Sequence, residues 1–133
     1  MKARFDLLPT DRLRVHEEVR PEAMWELVGR IRRDGRVEQP ILVASDDWVI
    51  LDGHHRFAAL KALGARRVPA WIVEYDSDEI RLERWEPGPP LAKREVVARA
   101  VRGEPFPPKT TRHRLAASLP ARSTSLDELL KDG

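Results

Sequence analysis

The stretch from Pro40 to Arg56 constrains this chain more than any other. Pro40-Ile41-Leu42-Val43-Ala44 reads as a buried strand, Ser45-Asp46-Asp47 as a turn, and Trp48-Val49-Ile50-Leu51 as the returning strand of a hairpin. Asp52-Gly53-His54-His55-Arg56 follows at once, and a helix runs from about His55 to Leu63, with Phe57, Leu60 and Leu63 on its buried side and Gly64 at its end. A polar turn between a strand and a helix is a place where anions bind. The first-turn N–H groups have no partner within the helix, and the helix dipole favours negative charge there. Gly53 permits close backbone approach, and Arg56 offers a rigid fork to phosphate oxygens, with His54 and His55 as further donors. The physics of the turn alone leaves two readings open: a phosphate site, or an ordinary turn in which Asp52 caps the helix. In the first reading, a carboxylate beside a polyanion needs a cation between them. Magnesium commonly binds through one or two carboxylates plus substrate phosphates, so Asp52 is the candidate magnesium ligand.

The flanking elements form a small α/β unit. Phe5 to Leu8 is a short strand ended by Pro9, and Asp11 to Val19 is extended. Pro21 opens a helix in which Met24, Leu27, Val28 and Ile31 make one stripe, and Gly35 ends it. Val68 to Val73 is a further strand. After Tyr75 the charged run Asp76 to Glu86 and the break Pro87-Gly88-Pro89-Pro90 lead to a helix from Leu91 to Arg102. That helix places Val97, Ala100 and Val101 on one face. A stiff segment, Glu104 to His113, follows, and a short helix lies near Leu126 to Lys131.

Composition bounds the function. The 133 residues suit one compact domain, and a net charge of +2 speaks against bulk electrostatic binding to DNA. The chain has no cysteine, which excludes disulfides, a thiolate nucleophile and cysteine-based zinc sites. With neither a membrane-length apolar run nor a signal peptide, the expected location is the cytoplasm.

Gln39-Pro40-Ile41-Leu42-Val43, Asp52-Gly53-His54-His55-Arg56-Phe57, Ala62-Leu63-Gly64 and Val68-Pro69 together resemble the ParB/sulfiredoxin superfamily, over roughly Phe5 to Tyr75. The resemblance implies a small mixed sheet with flanking helices over residues 1–76. It also implies that the Gly-x-x-Arg turn binds nucleotide phosphates. Sulfiredoxin chemistry needs a cysteine where His54 stands. Chromosome-partitioning ParB proteins usually carry Gly-Glu-Arg-Arg in the turn and a helix-turn-helix domain after it, for which little chain is left. The Asp-Gly-His-His-Arg form, with Phe106-Pro107-Pro108-Lys109-Thr110-Thr111-Arg112-His113 downstream, is similar to the free serine kinases.

That likeness implies a nucleotide- and magnesium-dependent kinase using ADP or ATP to turn L-serine into O-phosphoserine. A short helical extension, 77–133, would close over the site. Thr110, Thr111, Arg112 and His113 would hold the serine or the transferred phosphate, although by themselves they read equally as a basic surface loop. Glu38, just before a core strand, is the candidate base, or else a solvated loop glutamate. Trp71 is expected either to line the substrate pocket or to sit in the core. Lys109 is peripheral, Trp25, Trp48 and Trp85 carry no functional argument, and His16 with Arg30, Arg32 and Arg33 reads as solvated surface. A non-enzymatic nucleotide-binding or DNA-associated ParB-like module, and a kinase for another hydroxyl compound such as threonine, remain the alternatives.

Overall fold

The computed structural model describes residues 1–131. Its centre is a four-stranded mixed sheet built from β1 (Arg4–Pro9), β3 (Ile41–Ala44), β4 (Ile50–Asp52) and β5 (Arg67–Val73), in the order β1-β5-β3-β4. β5 pairs antiparallel with β1 and parallel with β3, and β3 pairs antiparallel with β4 across a bulge at Leu42/Val43. The returning strand begins two residues later than its apolar run. Asp47 and Trp48 take positive φ (57° and 54°), so Trp48 belongs to the turn.

The sheet is covered on both faces, and the alternation of its strands shows why. Ile41, Val43, Ala70 and Ile72 point to one side, where α1 (Pro21–Asp34) and α2 (His54–Ala62) supply Val28, Ile31, Phe57 and Leu60. Leu42, Ala44, Trp71 and Val73 point to the other, against Ile80, Val96, Ala100 and Phe106. Proline at the first position of α1 and Gly35 in the left-handed region at its end (φ 66°) delimit that helix as the sequence predicts.

The C-terminal extension is more than helical. β6 (Ile80–Arg84) lies in the charged run and pairs antiparallel with β7 (Thr111–Leu115), so the register sets Arg84 beside Thr111 and Leu82 beside His113. The alternation Ile80-Arg81-Leu82-Glu83-Arg84 is the signal for it. In α3 (Lys93–Arg102) the buried residues are Val96 and Ala100, whereas Val101 is exposed, so the predicted face is turned by about one position. A strand pair of β2 (Arg36–Val37) with β8 (Thr124–Ser125) and the short helix α4 (Leu126–Leu130) tie the chain end to the first layer. Five residues make no stable helix alone; Ser125 caps α4 through the Glu128 N–H, and Leu129 is fully buried. Among the described residues no helix is long and apolar enough to cross a membrane.

Gly53 fixes the junction of β4 and α2. Its φ is 100°, and a Cβ there would lie 2.6 Å from Cγ2 of Ile41. Gly53→Ala is therefore expected to cost roughly 2–5 kcal/mol, from left-handed strain plus overpacking. Urea denaturation measures it, and a loss below about 1 kcal/mol would show that the turn relaxes freely.

Candidate active site

A cavity of about 660 Å³ opens where the β4–α2 turn meets the start of β7. Asp52, Gly53, His54, His55 and Arg56 line one side, and Thr111, Arg112 and His113 line another. Two segments nearly sixty residues apart thus face one space. Asp52 is exposed at the end of β4. The N-terminus of α2 has no side-chain cap, so its first-turn donors remain available to an anion. Arg56 has a structural duty as well: its Nη1 donates to the carbonyls of Gln39 and Pro40, at 3.1 and 3.2 Å.

Glu17, which the sequence reading passed over, is the organising residue of the far wall. Its Oε2 accepts from the Lys109 N–H (3.1 Å). Its Oε1 accepts from the N–H groups of Thr110 (3.2 Å) and Thr111 (2.8 Å) and contacts the Thr111 hydroxyl at 2.9 Å. Those partners lie 92 to 94 residues away, so nothing local announces the role.

His16 is the clearest correction. It was expected on the solvated surface, yet it is fully buried, while its neighbour Val15 is 37% exposed. The reason is polar. His16 Nδ1 sits 2.7 Å from the Ile50 carbonyl, Nε2 sits 2.8 Å from the Thr111 hydroxyl, and the His16 backbone N–H donates to Nε2 of His54.

Other predicted residues separate. Glu38 lines the cavity, but at its rim: the side chain is 56% exposed and paired with Arg36. Trp71 does not line the cavity; it packs edge-on against Phe5 and donates from Nε1 to the Pro120 carbonyl. Thr110 is also outside the lining, its hydroxyl donating to the Pro107 carbonyl. Lys109, read as peripheral, is in the lining, and the exposed Arg30 lies at the edge. Trp85 is the aromatic residue that lines the cavity, with the Arg112 guanidinium 4.6 Å over its ring. It follows β6 directly, so the β6–β7 register puts it there, a pairing no single segment reveals.

Burial depresses the histidines of the site, His54 and His113 most strongly. Burial, with His16, His113 and His55 nearby, pushes His54 well below the ordinary imidazole range. His113 is pushed down to about 3, chiefly by burial, while its Nε2 lies 2.7 Å from the Tyr75 hydroxyl. Nδ1 of His113 has no well-formed hydrogen bond, although the Leu51 carbonyl lies near the ring. Burial likewise lowers His55, opposed by Glu17. For His16 burial is again the largest cause and lowers the ring from the ordinary imidazole range, with the Ile50 carbonyl and Glu17 acting against it.

No three histidine, aspartate or glutamate side chains converge as a metal cluster among the described residues. The donor set does not fit an all-protein metal centre. It does fit magnesium carried in with a nucleotide, where Asp52 would be one ligand and phosphate oxygens and waters the rest.

The ParB N-terminal domain family matches residues 2–84. An ATP-dependent L-serine kinase of Desulfurococcus mucosus is 42% identical over 86 residues, which are 62% of this chain and 34% of that protein. An ADP-dependent L-serine kinase of Thermococcus kodakarensis is 31% identical over 102 residues, 74% of this chain and 42% of that protein. The matched residues thus span 34% and 42% of the length of these two curated relatives. A solved free serine kinase in complex with AMP superposes with a TM-score of 0.88 at 20% identity, over 97% of this chain and 95% of that one, which establishes the fold.

The neutral His113 makes the fold acid-sensitive. His113 has a folded-state pKa below its unfolded one, so the unfolded chain binds more protons and stability falls as pH drops from about 6.5 towards 3. Urea melts at pH 7.5 and 5.5 are expected to show a lower midpoint at 5.5, where most carboxylates are still ionised. His113→Asn should reduce that difference, and equal midpoints in the wild type would contradict the assignment.

Proposed function

The chain belongs to the ParB N-terminal domain family, and we propose that it is a cytoplasmic kinase transferring a phosphoryl group from ATP or ADP to the hydroxyl of free L-serine. The observation that carries this reading is the shared cavity. It sets an anion-binding helix terminus, an exposed carboxylate and a hydrogen-bonding segment around one space large enough for a nucleotide's phosphates and a small acceptor. The names of the two kinase relatives support the same reading.

The division of labour follows from charge. Phosphoryl transfer depends on positioning and charge neutralisation more than on covalent help. The α2 N-terminus with His55 and Arg56 would hold the phosphates, and Asp52 would hold magnesium, which neutralises phosphate charge when bound. Trp85, Arg112 and His113 would frame the serine, so the aromatic wall passes to Trp85 from Trp71. The serine oxygen forms a bond to the terminal phosphorus, the bond from that phosphorus to the nucleotide's bridging oxygen breaks, and the hydroxyl proton goes to a carboxylate. Two glutamates compete for that last role. Glu38 lies in the connection between β2 and β3, exposed and engaged with Arg36. Glu17 is fixed by backbone donors on the wall itself. A base works only where it is positioned, so Glu17 is the better candidate.

The test is formation of O-phosphoserine from L-serine and magnesium, with ATP and ADP in parallel. Product with one donor names the nucleotide; no product with either, together with nucleotide binding, removes the kinase reading. Glu17→Gln is expected to lower turnover about 10²–10⁴-fold. Glu38→Gln should stay within about tenfold of wild type, and the reverse ranking would return the base to Glu38.

A further inference from the structure

The wall of the cavity contains a chain of polar contacts whose protons do not balance if every group holds its ordinary charge. Nδ1 of His16 lies 2.7 Å from the Ile50 carbonyl. A carbonyl only accepts, so Nδ1 carries a proton. Nε2 of the same ring lies 2.8 Å from the Thr111 hydroxyl oxygen, which lies 2.9 Å from Oε1 of Glu17. The two contacts at Thr111 need a proton each, and the hydroxyl supplies one. With a neutral His16 and an ionised Glu17, one of them would set lone pair against lone pair in a buried place. Oε1 already accepts from two backbone N–H groups, which leaves little room for a proton on that oxygen. The second ring nitrogen of His16 is the place where an added proton completes every bond.

We propose that His16, Thr111 and Glu17 form a positioning triad in which His16 is an imidazolium that donates to the Ile50 carbonyl and the Thr111 hydroxyl. Thr111 then donates to Oε1 of Glu17. Burial opposes this charge, and the Ile50 carbonyl together with the Glu17 carboxylate, one hydroxyl away, compensates it. The neighbouring groups leave His16 as the place for that charge. The His54 ring lies 4.5 Å away and accepts the His16 backbone N–H, so its Nε2 is unprotonated. The His113 ring lies 5.7 Å away, against Tyr75, with Lys93 beyond it. Phe106 closes the remaining side. Oε1 of Glu17 is thereby committed to the protein. Oε2, which among the described residues accepts only from the Lys109 N–H, is the oxygen left to meet a ligand in the cavity. No proton needs to pass along the triad; it aims the carboxylate.

The assignment of Oε2 to an acceptor hydroxyl rests on the kinase reading, but the protonation state does not. Long-range proton–nitrogen NMR of the full chain with ¹⁵N-labelled histidine, at pH 7.5 without nucleotide, reads it directly. The expected result is that both ring nitrogens of His16 are protonated, that Thr111→Ser keeps this signature, and that Thr111→Val or Glu17→Gln converts His16 to a neutral ring protonated at Nδ1. A neutral His16 in the wild type overturns the triad, whatever the variants do. In the serine assay Thr111→Val should lose about 10²-fold in kcat with little change in KM, and Thr111→Ser should recover most of it. An imidazolium without serine phosphorylation would keep the triad and remove the kinase reading; serine phosphorylation with a neutral His16 would do the reverse.

Discussion

The carboxylate of Glu17 is the contact on which the site depends. It gathers the N–H groups of three consecutive residues, Lys109, Thr110 and Thr111, where the chain enters β7. Lys109 takes a left-handed φ of 58° there, a conformation that needs such anchoring. Without the carboxylate, backbone donors in a partly buried place would lose their partners, at about 1–3 kcal/mol each. On its other side the same loop is laced to the hairpin and to Phe106, through Arg14 with Trp48 and Ile50 and through His16 and Glu18 with Phe106. Glu17 is thus the rivet between the two halves of the chain, and the cavity is the space it closes.

That arrangement explains why so small a chain has a site at all. The hairpin and α2 bring the Asp52–Arg56 turn with its uncapped helix terminus, while the second face of the sheet needs a cover. Alternating residues of β3 and β5 are apolar on both sides, so an uncovered face would expose Leu42, Ala44 and Val73. The extension supplies Ile80, Val96, Ala100 and Phe106 to that face, and in doing so carries Thr111, Arg112 and His113 to the edge of the turn. Packing and site assembly are one event. The covering layer is partly a two-stranded ribbon, which fixes Trp85 against Arg112 more firmly than a helix and loop would.

What could be read in the sequence was what is local. Pro21 and Gly35 mark α1, the apolar runs mark β3 and β5, and Asp52-Gly53-His54-His55-Arg56 marks the turn, because each signal lies within a few residues of the element it specifies. The site was legible where its motif is contiguous and illegible where pairing decides. His16 looked like surface because nothing nearby shows that Ile50 and Thr111 receive its ring. Trp71 lies within an apolar run and Trp85 follows an alternating one, and only the β6–β7 register says which one reaches the cavity. Glu38 was singled out by its place before a core strand, whereas Glu17 owes its place to partners more than ninety residues on.

In the proposed reaction one cavity takes phosphoryl donor and acceptor together, with Glu17 between the chain halves. A crystal structure of the chain with a non-hydrolysable ATP analogue, magnesium and L-serine tests it most directly. The terminal phosphate is expected at the N-terminus of α2 beside Gly53 and His55, and the serine hydroxyl within hydrogen-bond distance of Oε2 of Glu17. A nucleotide seated outside this cavity, or a serine bound away from Glu17, would contradict it.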